Sequence, residues 1–204
     1  RRLFARRRSS PGADLLSALA VARVDGAPLD EEHTDGFFVL MLAAGNETTR
    51  NALTGALHLL GRHPDQRQRL LEDPSLMRNA VEESLRLTSP VVQMRRTAVA
   101  GTAVASAPVD AHQRLGLFYG AANRDPRAFD EPLAFDIARG NARLQLAFGF
   151  GPHSCLGAPL ARLEIRVFLE EFLRRFPAYR LAGEPAYLRS DFLVSIKRLL
   201  IELP

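Results

Sequence analysis

Residues 148–162 read FGFGPHSCLGAPLAR and contain Cys155, the single cysteine of the chain. Gly149 and Gly151 let the backbone ahead of it turn sharply and pass close to something bulky. Behind it, LGAPLARLEIRVFLEEFLRRFP has the apolar spacing of an amphipathic helix. A cysteine just ahead of a helix faces free backbone amides and the positive end of the helix dipole, which favour a thiolate. The competing reading is a small buried hydrophobe, the ordinary fate of a lone cysteine. Zinc would need further cysteine or histidine ligands at short spacing, and His153 alone does not supply them. His153 is also a candidate base for a nucleophilic thiol, although its closeness along the chain gives poor geometry for that role.

Composition narrows the possibilities further. With 204 residues, 47% of them hydrophobic, the chain can bury a substantial core as one domain or a large piece of one. A single cysteine excludes an internal disulfide, and neither a signal-peptide pattern nor a membrane-spanning apolar run is visible. The expectation is a soluble, cytoplasmic protein. The net charge is +4, with Lys197 the only lysine among the basic residues. Residues 1–10 open with RRLFARRR, read as a basic, exposed helix end or linker. Nucleic-acid binding would rest on that start alone and lacks interleaved aromatics.

The periodicity predicts a mainly α fold with a small β portion. SSPGADLLSALAVARVDG predicts a helix of about three turns capped by Asp14. LDEEHTDGFFVLMLAAGNETTRNALTGALHLLGRHP predicts a long helix, apolar on most faces from Phe37 to Gly45, that should cross the core. PDQRQRLLED and SLMRNAVEESLRLTSP predict two more helices, the second stopped at Pro90. Residues 94–118 carry short β-prone segments broken by Gly and Pro. A long irregular stretch then leads to Cys155, and long ordered loops are usually functional. The tail holds strand-like pieces such as FLVSI.

Phe148, Gly151, His153, Cys155, Gly157, Leu160, Ala161 and Arg162 together match F-G-x-G-x-H-x-C-x-G-x-x-L-A-R. This pattern resembles the haem-binding loop of the cytochrome P-450 monooxygenases. The resemblance runs from about Pro11 to Pro204 and implies the C-terminal half of that fold, with haem held between the long helix and the cysteine loop. It implies Cys155 as the thiolate on haem iron, an electron-rich ligand that favours O–O cleavage.

Other positions acquire roles from the same resemblance. Glu47 and Thr48, in AAGNETTRN, would relay protons to iron-bound oxygen, with Ala44, Gly45, Phe148 and Gly149 against the cofactor. Arg96, or its neighbour Arg95, and His153 would serve the haem propionates. Glu83, Arg86 and Arg139 would form a structural ion-pair trio. Val91, Val92, Phe192 and Leu193 would face substrate. The implied reaction inserts one oxygen atom of O2 into a C–H bond of an apolar small molecule, with electrons from a ferredoxin or similar donor and its reductase. The alternative is a non-catalytic haem-binding remnant or sensor, since only half of the fold is present. For the isolated chain the expectation is weak haem binding and association through exposed apolar surface.

Overall fold

A computed structural model describes residues 2–204. The chain is mainly helical with small two-stranded sheets, and it divides into two compact units, Arg1–Glu47 and Thr48–Pro204.

The first unit contains α1 (Arg2–Ser9), α2 (Leu15–Ala20), a hairpin of β1 (Arg23–Val24) and β2 (Ala27–Pro28), and the first half of α3 (Glu31–Arg62). The basic start is helical, and Phe4 is buried there with Leu19 and Ala20, its ring edge-on to Phe38 at 5.7 Å. Arg8 donates to the carbonyls of Ala20 and Leu29. Asp14 caps α2, its carboxylate accepting from the Ser17 amide at 2.8 Å, as expected. The expected three turns do not follow. The helix stops at Ala20 because Asp25 and Gly26, at φ 50 and 80, form the tight turn of a hairpin. An Asp-Gly pair is a hairpin signal that outweighs the apolar spacing around it.

In the second unit, the remainder of α3 is followed by α4 (Pro64–Glu72) and α5 (Met77–Thr88). Strand β3 (Gln93–Thr97) pairs antiparallel with β6 (Arg114–Phe118), while β4 (Thr102–Val104) and β5 (Ala107–Val109) make a separate hairpin between them. The short α6 (Tyr119–Ala122) leads into the irregular segment, and α7 (Ala158–Arg175) follows Cys155. The tail forms β7 (Arg180–Leu181), β8 (Ala186–Tyr187), β9 (Ile196–Arg198) and β10 (Ile201–Glu202), paired β7 with β10 and β8 with β9.

Ala56 and Leu60 of α3, Ala80 and Val81 of α5, Ile165 and Leu169 of α7, and Ile137 from the irregular segment make the main core. Thus α3 enters this core only with its second half. The apolar stretch ahead of it is open, in line with the exposed apolar surface expected of the chain: Val39, Leu40 and Leu42 are each about 60% exposed. Gly55 marks a close approach, since a Cβ there would lie 2.5 Å from the Thr88 side chain. Tyr179 closes the far side, its hydroxyl donating to the Leu57 carbonyl at 2.6 Å. Burial pushes that phenol up to about 12, against the opposing pull of Arg67.

Candidate functional site

Helix α5 anchors the second unit. Val81 and Leu85 fill the core, whereas the charged positions of the same helix reach loops on either side. Glu83 and Arg86 are fully buried, and Arg139 nearly so. Arg86 grips the Glu83 carboxylate with two bonds of 2.7 and 2.8 Å, and Arg139 Nε adds a third at 3.0 Å. One carboxylate against two guanidiniums leaves a surplus positive charge, which must be solvated internally. Backbone carbonyls of the irregular segment do this. Asn123, Pro132 and Ala134 accept from Arg86, and Asp130, Glu131 and Ala134 accept from Arg139. Carbonyls turned toward arginines are unavailable to a helix or sheet ladder, so the segment is ordered without regular structure.

The same helix also controls the approach to Cys155. Glu82 accepts from Arg162 at 2.6 and 3.1 Å and from the Gln145 amide at 3.0 Å. The Leu146 amide donates to Asn123 Oδ1, and Asn123 in turn donates to Ser89 Oγ at the end of α5. Between these anchors and α7 the chain makes its turn. Gly149 and Gly151 have φ of 70 and 72, a conformation that other residues adopt only with strain. The turn closes with the Cys155 amide donating to the Phe148 carbonyl at 2.9 Å and the Ser154 amide to the Gly151 carbonyl at 3.0 Å. Cys155 itself is exposed, just ahead of the first turn of α7. A Cβ on Gly157 would sit 3.9 Å from Cys155 Sγ, at ordinary van der Waals distance. The flanking apolar side chains are open too, with Phe150 85% and Leu156 75% exposed.

The donor set around Cys155 is informative. No group of three or more His, Cys, Asp or Glu suited to a metal ion occurs among the described residues. An open thiol flanked by exposed apolar side chains is compatible with the haem that the resemblance of this loop implies.

The remaining candidates fall into clusters. Val91 bridges Leu193, and the Val92 amide donates to the Phe192 carbonyl, so the backbones of the four expected substrate-facing residues run side by side. Arg95 and Arg96 are successive residues of β3 and so point to opposite faces. Arg95 is exposed and Arg96 half-buried, donating to the Arg95 carbonyl at 2.9 Å. His153 and Phe150 are exposed, while Phe148 is half-buried under the Arg162 guanidinium, 4.5 Å from its ring. Glu47 and Thr48 are half-buried neighbours on α3, and Ala44 and Gly45 are exposed one turn earlier.

A sequence profile described as Cytochrome P450 matches residues 4–197. The chain belongs to the cytochrome P450 family. Among P450 relatives, a methyl-branched lipid omega-hydroxylase of Mycobacterium bovis is 45% identical over 195 residues, covering 95% of this chain and 45% of that protein. A steroid C26-monooxygenase of Mycobacterium tuberculosis is 42% identical over 188 residues, covering 92% of this chain and 50% of the relative. The solved structure of CYP108D1 from Novosphingobium aromaticivorans superposes with a TM-score of 0.93 at 40% identity, covering all of this chain and 49% of the other. This chain thus spans about half the length of the P450 relatives it matches.

Glu82, Gln145, Asn123 and Ser89 were not singled out in the sequence. None of the four left a specific signal: the adjacent glutamates of EESLR point about 100° apart on the helix, and a charge on a helix face needs no protein partner.

Proposed function

We propose that this P450 chain is the cysteine-bearing part of a haem-thiolate monooxygenase that inserts one oxygen atom of O2 into a C–H bond of an apolar small molecule. The observation that carries the reading is Cys155, exposed at the head of α7 on a loop pinned by its own amide. When bound, haem supplies reductive cleavage of dioxygen at an iron that the thiolate makes electron-rich.

The chain's own residues do the rest. Cys155 Sγ would hold the haem iron, and the α7 terminus favours its anionic form. Arg96 and His153 would hold the propionate carboxylates, and Phe148, Gly149, Ala44 and Gly45 would contribute surface to the cofactor. The Thr48 hydroxyl would supply a proton in the reaction, and the Glu47 carboxylate would replenish it from solvent. Val91, Val92, Phe192 and Leu193 offer an apolar patch that orients substrate by shape. The names of the relatives, a lipid hydroxylase and a steroid monooxygenase, support an apolar substrate.

Electrons come from a ferredoxin or similar donor with its reductase. A cleft of about 510 Å³ between α5 and α7, rimmed by Arg78, Arg143 and Arg166, supports docking of an acidic protein there. No helix among the described residues is long and apolar enough to cross a membrane. We assign the site of action to the cytoplasm.

The test is the absorption spectrum of the haem-loaded, reduced, CO-bound protein. The native chain should show the red-shifted thiolate band. Cys155→Ala should lose it while retaining the helical far-UV signal, and an unchanged spectrum would refute the ligand assignment.

A further inference from the structure

We infer that Glu82 is a positioning residue for the thiolate loop, an assignment that rests on Cys155 being the haem ligand. Its carboxylate is only 9% exposed, and two routes lead from it to Cys155. In the first, Glu82 fixes the Arg162 guanidinium at 2.6 and 3.1 Å. Arg162 lies 4.5 Å from the centre of the Phe148 ring, and the carbonyl of Phe148 receives the Cys155 amide at 2.9 Å. In the second, Glu82 holds Gln145 through its amide at 3.0 Å, and Gln145 Oε1 receives the Ala147 amide at 2.6 Å. The residue before Phe148 and the ring of Phe148 are therefore both referenced to one buried carboxylate on α5.

The geometry separates Glu82 from its neighbour. Glu83 serves the segment between Asn123 and Arg139, whereas Glu82 serves the segment from Gln145 to Cys155 and the first turns of α7. Charge also matters. An uncharged side chain at position 82 would leave Arg162, 39% exposed, free to swing toward water, and Phe148 would lose the flat cation above it. A loop released in this way admits water to the sulfur, which favours protonation and loss of thiolate ligation.

Two variants test this, Glu82→Gln in the buried position and Arg162→Gln at the half-exposed partner, with Arg174→Gln as a control on the same helix. In the haem-free chain, amide hydrogen exchange at Ala147 and Cys155 should accelerate about tenfold or more in either variant, and no further in the double variant. Exchange at Ile165 and Leu169 should stay as in the native chain, as should all these amides in Arg174→Gln. In the haem-loaded chain, the reduced CO spectrum of both variants should shift population from the thiolate band to the thiol band. Unchanged exchange at Ala147 and Cys155 would overturn the inference. So would faster exchange with an unshifted spectrum, because Glu82 would then be mere packing. A native chain with no thiolate band would instead sink the haem reading, and the exchange data would still decide whether Glu82 holds the loop.

Discussion

His58 is half-buried on α3, and its Nε2 is sealed from solvent without a hydrogen-bond partner among the described residues. Burial holds its pKa below the ordinary 6.5, and the nearby Arg62 pushes the same way. The unfolded chain therefore takes up this proton first as pH falls. Stability present above about pH 6.5 is lost as the pH falls toward the lower folded value. His58→Leu should thus reduce the drop in urea midpoint between about pH 7.5 and about pH 5.5. Identical slopes in the two proteins would show that this imidazole does not titrate on unfolding. Thr48 is judged by chemistry instead. In a turnover-competent protein, Thr48→Ala should leave haem binding and oxygen consumption in place but divert electrons to peroxide. Product formed per oxygen consumed is the measurement, and an unaltered ratio would remove Thr48 from the proton relay.

Helices α3 and α5 meet where Gly55 faces Thr88, and a Cβ at Gly55 would overlap both Cγ2 and Oγ1 of that threonine at 2.5 Å. Gly55→Ala should destabilise the protein by about 1–3 kcal/mol in denaturant titration, although alanine is the better helix former. Adding Thr88→Ala should return most of that loss, whereas additive effects would place the strain elsewhere. Elements with a regular period were legible: the limits of α3, α4 and α7 agree closely with their proline and glycine punctuation. The irregular segment was legible as a loop but not in its course. Its shape is set by carbonyls bonding to Arg86 and Arg139, and backbone carbonyls carry no sequence signature. The cysteine loop was legible because it needs particular side chains and glycines at fixed spacing. Glu82, by contrast, looks from its sequence like any helix-surface charge, and only its burial against Gln145 and Arg162 separates it from one.

At the scale of the whole molecule, apolar side chains remain open in each unit: Val39, Leu40 and Leu42 in the first, Phe150, Leu156 and Leu160 in the second. Patches of this kind ordinarily mark surfaces that are covered by something else. The isolated chain should self-associate with rising concentration in light scattering and should bind haem weakly in titration. A monomer that holds haem tightly and hydroxylates a substrate would show that these surfaces need no cover. The bonds closing the main core have a further consequence, for the chain as it is made. Tyr179 donates to Leu57 across 122 positions, and Asn51 donates to Ser195 across 144. A ribosome adding residues at about 5–20 per second therefore exposes the second half of α3 for roughly seven to thirty seconds before its last partners emerge. Nascent chains stalled short of Tyr179 should be cut by protease within α3, and those released after Ser195 should resist. During that interval the helix is a natural client for a chaperone that covers apolar segments.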